Sequence, residues 1–144
     1  MLKTTGLIAG HYECRSLAET LPVFTDLLAM EVVEQKPREA TLKHPNTDWR
    51  LIVHEGGPEA PEKTFDNHYG FRVGTHEEVE AAWKYIDAHK EQYHLSKITK
   101  PQSAHFAYSI YFASPAAITS KSNITIPAAP CTAARTPPAT GKSP

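Results

Sequence analysis

Cysteine is nearly absent: Cys14 and Cys131 are the only two among 144 residues. That count leaves no disulfide framework to staple a small fold, and a reducing cytoplasm is the expected setting. A basic excess is missing too. Fifteen Lys and Arg against sixteen Asp and Glu give a formal charge of -1, no footprint for nucleic acid or anionic lipid. Met1 to Gly10 holds one Lys and a short apolar run, too short for a signal peptide or a membrane span. No nucleic-acid and no membrane partner is expected. Pro115 to Pro144 lacks every aromatic and every acidic residue. Such a Pro-, Ala-, Thr- and Ser-rich stretch buries too little apolar surface to offset its ordering entropy. Within it, Asn123-Ile124-Thr125-Ile126 offers a short strand, and 127–144 is expected to be a disordered tail.

What is present is organised by two histidine-headed strands. In Asn67-His68-Tyr69-Gly70-Phe71-Arg72-Val73, period two puts His68, Gly70 and Arg72 on one face and Tyr69, Phe71 and Val73 on the other. Thr75 with Glu78 then forms a capping box that opens a helix. The same order occurs earlier: Gly10-His11-Tyr12-Glu13-Cys14-Arg15, then Ser16 with Glu19. The repetition suggests an internal duplication that brings two imidazoles together. It predicts one domain over 1–126, with a first module at 6–56, a linker at 57–65 around Gly56-Gly57-Pro58, and a second module at 66–126.

Leu17, Leu21, Phe24 and Leu28 make a core stripe on a helix from Leu17 to about Met30. Pro22 would cost a helix interior about 3 kcal/mol, so the regular helix is expected to start near Thr20. Glu31 to Gln35, Ala40 to Lys43 and Trp49 to His54 read as an antiparallel meander. In the second unit, Val79, Ala82, Trp83 and Ile86 stripe a helix from Glu77 to about Lys90. A short strand near Leu95 to Thr99 and a strong one from Ala104 to Phe112 follow, with His105, Ala107, Ser109 and Tyr111 on one face. Of eight histidines, His44, His76, His89 and His94 lie in polar surroundings and read as solvated.

Two βαβββ units, each with a histidine on its first strand, resemble the vicinal oxygen chelate superfamily. That group includes glyoxalase I, extradiol ring-cleaving dioxygenases, fosfomycin-resistance transferases and metal-free bleomycin-resistance proteins. The resemblance covers residues 6–115 and implies an α+β fold: paired βαβββ modules forming a cupped mixed sheet, helices outside. His11 and His68 match the two family histidine ligands of a divalent metal, Fe(II) in the extradiol group and Zn(II), Mn(II) or Ni(II) elsewhere. Extradiol enzymes carry a catalytic tyrosine in a motif similar to Ser-Ile-Tyr-x-x-Asp/Glu-Pro-x-Gly-x-x-x-Glu. Ser109-Ile110-Tyr111-Phe112-Ala113-Ser114-Pro115 matches its beginning, with Tyr111 at the tyrosine. The final glutamate, the third ligand, falls where this chain has Lys121, whose ammonium has no lone pair to offer.

A shift of one nucleotide accounts for that mismatch. Codons for Ala113 to Asn123, read one base back, are compatible with Arg-Glu-Pro-Gly-Gly-Asn-His-Leu-Glu-Ile-Glu, the ending the resemblance implies. A frame change near residue 112 would explain together the lost motif, the missing glutamate and the composition that follows. Sequencing the gene through this region decides it, and an in-frame template encoding Lys121 excludes the shift.

Two imidazoles and one carboxylate on one face of an iron leave positions for a catecholate and dioxygen, whereas Zn(II), Ni(II) or Mn(II) acts as a Lewis acid. The plainer use of His11 and His68 is as polar residues at strand starts; their matched placement favours ligands. Tyr111 is either a hydrogen-bond donor to substrate or a packed aromatic. His105 is either a second-sphere acid or base or buried structure. Arg15 and Arg72 could anchor an anionic substrate beside Glu13, or pair with Glu13 in a salt bridge. Glyoxalase I has a further glutamate in the last strand of the first unit, where this chain has Trp49-Arg50-Leu51-Ile52-Val53. The resemblance therefore implies an extradiol-like enzyme on a small catecholic aromatic, impaired in this chain. The alternatives are a non-enzymatic small-molecule binding protein or a glyoxalase-like lyase or isomerase. It also implies a homodimer in which His11 of one chain meets His68 of another.

Overall fold

A computed structural model describes residues 7–56, 68–104, 107–114 and 123–128. The first unit runs β1 (Ala9–Cys14), α1 (Leu17–Pro22), a π-helical turn (Val23–Leu27), β2 (Glu31–Lys36), β3 (Glu39–Lys43) and β4 (Arg50–Glu55). The second runs β5 (His68–Gly70), α2 (His76–His89), β6 (Gln102–Ala104), β7 (Ala107–Ala113) and β8 (Asn123–Pro127). Their sheets have the same order, β1-β4-β3-β2 and β5-β8-β7-β6. Each first strand lies parallel to its last, and the other pairs are antiparallel. The fold is α+β with mixed sheets, and the duplication read from the two histidine-headed strands is present in the topology.

Both helix starts follow the capping signals. Thr75 and Glu78 form the complete box, each side chain meeting the other's backbone N–H. Ser16 Oγ accepts from Glu19 N at 3.3 Å, and Glu55 Oε2 accepts from Leu17 N at 2.9 Å. α1 therefore starts at Leu17, not near Thr20. With its first donors satisfied from two sides, the turn forms ahead of Pro22 and leaves the proline inside the helix. Pro22 has no N–H for the carbonyl four residues back, and the chain widens at once into the π-helical turn. Thr25 Oγ1 bonds the Leu21 carbonyl there at 3.1 Å. Ala29, at φ 54, ends the segment.

The core is one continuous cluster behind both sheets. Register sets its face: Tyr12 pairs with Val53 and Val53 with Ala40, while Leu51 pairs with Leu42. All five are buried. An aromatic seam joins the units. Phe24 meets Tyr12 edge-on at 5.0 Å and lies 6.3 Å from Phe71, Tyr69 lies 6.0 Å from Tyr12 and 5.9 Å from Trp49, and the Tyr12 hydroxyl bonds Ser114 Oγ at 2.5 Å.

Other boundaries moved. β5 covers only His68–Gly70, with Val73 bridging to Ala128. The expected strand at Leu95 to Thr99 is a single bridge, Ser96 to Ala113. The strand expected over Ala104 to Phe112 is instead the β6–β7 hairpin, shifted one residue on at its end. β8 fills the last-strand position between β5 and β7, so Asn123 to Ile126 do form a strand, and pairing continues past residue 126. The linker at 57–65, Asn67, His105, Lys121, Cys131 and positions 129–144 lie outside the described residues. No described helix is long and apolar enough to cross a membrane.

Three phenols hold their protons beyond the ordinary 10.0. Burial raises Tyr69 and Tyr93, and Tyr108 is raised first by its hydrogen bond to Glu80. The folded state thus binds these protons more tightly than the unfolded chain, so their contribution is complete below pH 10 and is lost above it. Urea midpoints should be flat from about pH 8 to about 10 and fall beyond. In Tyr108→Phe the fall should be shallower; an identical decline would show that Tyr108 takes no part.

Candidate ligand-binding face

Strand alternation divides β1 cleanly. Tyr12 and Cys14 are buried against the helix layer, while His11 is exposed on the opposite face and Glu13 is half-buried there. On β5, Tyr69 joins the seam and His68 and Gly70 take the other face. The Tyr69 phenol donates to the His11 carbonyl, a side-chain contact from β5 to β1.

Register supplies their neighbours. Beside His11 on β4 is Ile52, and beyond it Thr41. The next row is Glu13, His54 and Glu39. On the second sheet His68 pairs with Asn123, which pairs with Ala113, and the next row is Gly70, Thr125 and Tyr111. Tyr111 is buried, and its ring meets the His68 imidazole edge-on at 5.7 Å and 85°. One row further on, Ser109 is 1% exposed and its Oγ has no hydrogen-bond partner. A buried hydroxyl without a partner costs on the order of 1–3 kcal/mol, so Ser109 marks this face for a polar contact. Sequence alternation had put Ser109 beside Tyr111, but nothing local reveals that its hydroxyl is unsatisfied.

Arg15 and Arg72 are both exposed, at the ends of β1 and β5, and among the described residues neither makes a salt bridge to Glu13 or to any other acid. Glu55, the acid at the end of β4, faces the helix layer and caps α1. Glu13 is the acid on the histidine face of β1.

The divalent metal that the resemblance implies needs a carboxylate near both imidazoles. The positions adjoining them in register are Ile52 and Asn123, an aliphatic and a neutral amide. Among the described residues no three His, Cys, Asp or Glu gather into a group able to hold a metal ion. These residues do not fit a two-histidine, one-carboxylate centre.

No family model matches the chain, and no curated protein matches its sequence. Solved structures do. Lactoylglutathione lyase from Agrobacterium tumefaciens is 13% identical, with a TM-score of 0.65 over 90% of this chain and 98% of that one. The fosfomycin resistance protein FosX from Listeria monocytogenes is 18% identical, TM-score 0.67, over 88% and 93%; it has also been solved with Mn(II) and sulfate. TnmS3, an antibiotic binding protein from Streptomyces, is 10% identical, TM-score 0.63, over 89% and 98%. The chain has the vicinal oxygen chelate fold. At these identities the likeness establishes architecture alone. His11, His68, Tyr111 and Ser109 alternate with Tyr12, Tyr69, Ile110 and Phe112, which pack in or against the cluster with the helices.

Proposed function

We propose that this chain binds a small, flat aromatic molecule on the histidine face, and that ring cleavage of the extradiol type belongs to the same site only when a carboxylate ligand completes it. The observation that carries this reading is the composition of that face. It offers two exposed imidazoles, a buried aromatic edge against one of them, and a buried hydroxyl in need of a partner. Two imidazoles can hydrogen-bond the vicinal hydroxyls of a catechol, Tyr111 supplies a ring for edge or offset contact, and Ser109 offers the remaining polar contact. Arg15 and Arg72 at the rim suit an anionic substituent. Glu13 can accept a proton from a bound hydroxyl, and His105 is the proposed second-sphere acid or base. Fe(II) is the metal proposed for the completed site, with Zn(II), Mn(II) or Ni(II) as substitutes.

Calorimetry with catechol tests the binding step. His11→Ala and His68→Ala should each weaken binding about tenfold, the worth of one lost hydrogen bond of roughly 1.4 kcal/mol. Metal analysis of the purified protein should find well under one ion per chain. Unchanged binding in both variants would remove the histidine face from the function. Stoichiometric iron with turnover would show that Glu13 or another acid completes the centre. A homodimer in the cytoplasm is the proposed state, and light scattering at micromolar concentration distinguishes it from a monomer.

A further inference from the structure

One of the contacts that join the two units is made on the backbone of His11. β1 and β5 are edge strands of separate sheets. On β1 the carbonyls of Ile8 and Cys14 accept from Arg50 and Gly56 on the β4 side. Carbonyls alternate along a strand, so that of His11 points out of the free edge, where it has no ladder partner. The Tyr69 phenol fills that need. Because Tyr69 follows His68 directly, one hydrogen bond ties the neighbour of one imidazole-bearing residue to the backbone of the other.

The ring is held for this task. Trp49 and Tyr12 pack against it at 5.9 and 6.0 Å. Gly10 lets it approach: a Cβ there would lie 3.0 Å from Tyr69 Cε1 and 2.7 Å from Trp49 Cζ2. Burial raises the phenol pKa. On the far side Tyr111 fixes the His68 ring edge-on.

We infer that Tyr69 is a positioning residue: by tying β5 to the His11 carbonyl it sets the spacing between the two imidazoles and so which ligand atom both can reach. This rests on the proposal that the imidazoles share a ligand. Tyr69→Phe keeps the ring and removes the bond, and Trp49 fluorescence reports whether the seam stays packed. Long-range proton–nitrogen spectra should show the imidazole signals of both His11 and His68 displaced in Tyr69→Phe. In Tyr12→Phe, which removes only the hydroxyl bonded to Ser114, both should stay unmoved. Cu(II) serves as the probe ion. The parent chain should bind it through two imidazole nitrogens by electron paramagnetic resonance, and Tyr69→Phe should bind it at least about tenfold more weakly through one, matching His11→Ala. Unmoved imidazole signals in Tyr69→Phe, or equal displacement in Tyr12→Phe, would overturn the positioning role. Single-nitrogen Cu(II) binding by the parent chain would instead sink the shared-ligand proposal, with the imidazole shifts still deciding the role of Tyr69.

Discussion

Replacing residues 113–123 with Arg-Glu-Pro-Gly-Gly-Asn-His-Leu-Glu-Ile-Glu should raise divalent-metal affinity by about 100-fold or more. Changes to residues that merely support a metal ligand cost about 10–100-fold, and a directly bound carboxylate contributes at least as much. The replacement puts acids at positions 114, 121 and 123, and the last is the register partner of His68. It exchanges a neutral amide for an anion that offsets the charge of the ion, and it removes the lysine ammonium of Lys121, which would repel it. Competition titration with Zn(II) and Fe(II) measures the gain, and catechol ring cleavage should appear with the Fe(II) form alone. Equal affinity in the two chains would mean that the carboxylate belongs elsewhere, with Glu13 the residue to change next.

Phe24→Ala should destabilise the protein by about 3–5 kcal/mol, the range for emptying a fully buried phenylalanine site. Phe24 is 0% exposed and lies between Tyr12 of the first unit and Phe71 of the second. The cavity would therefore open at the seam, where neither sheet can close over it alone. Urea unfolding monitored by both tryptophans gives the magnitude. Val33→Ala on the edge strand, where Val33 is 49% exposed, should stay within about 0.5 kcal/mol. A loss below about 1 kcal/mol for Phe24→Ala would show that the seam does not support the fold.

Local chemistry made much of this protein legible. Thr75 and Glu78, or Ser16 and Glu19, signal a helix start because a cap involves only residues three positions apart. The alternation of His11 with Tyr12 and of His68 with Tyr69 divides two strands into an exposed and a more buried face because a pleat has period two. From these signals follow the duplicated units, the helix stripes and the side on which both histidines lie. Tertiary structure decided the rest. Pro22 remained inside α1 because Glu55, 38 residues on from Leu17, supplies a cap that no local pattern contains. Strand alternation had already put Glu55 on the face opposite to His54 and the histidines. Ile52 beside His11 and Asn123 beside His68 are consequences of register, which depends on how distant strands slide against one another. The hydroxyl of Ser109 is unsatisfied only because folding buries it, and the His11 carbonyl meets the phenol of Tyr69, 58 residues on, only in the folded chain. Such contacts depend on residues far apart in the chain, so their placement was decided by packing.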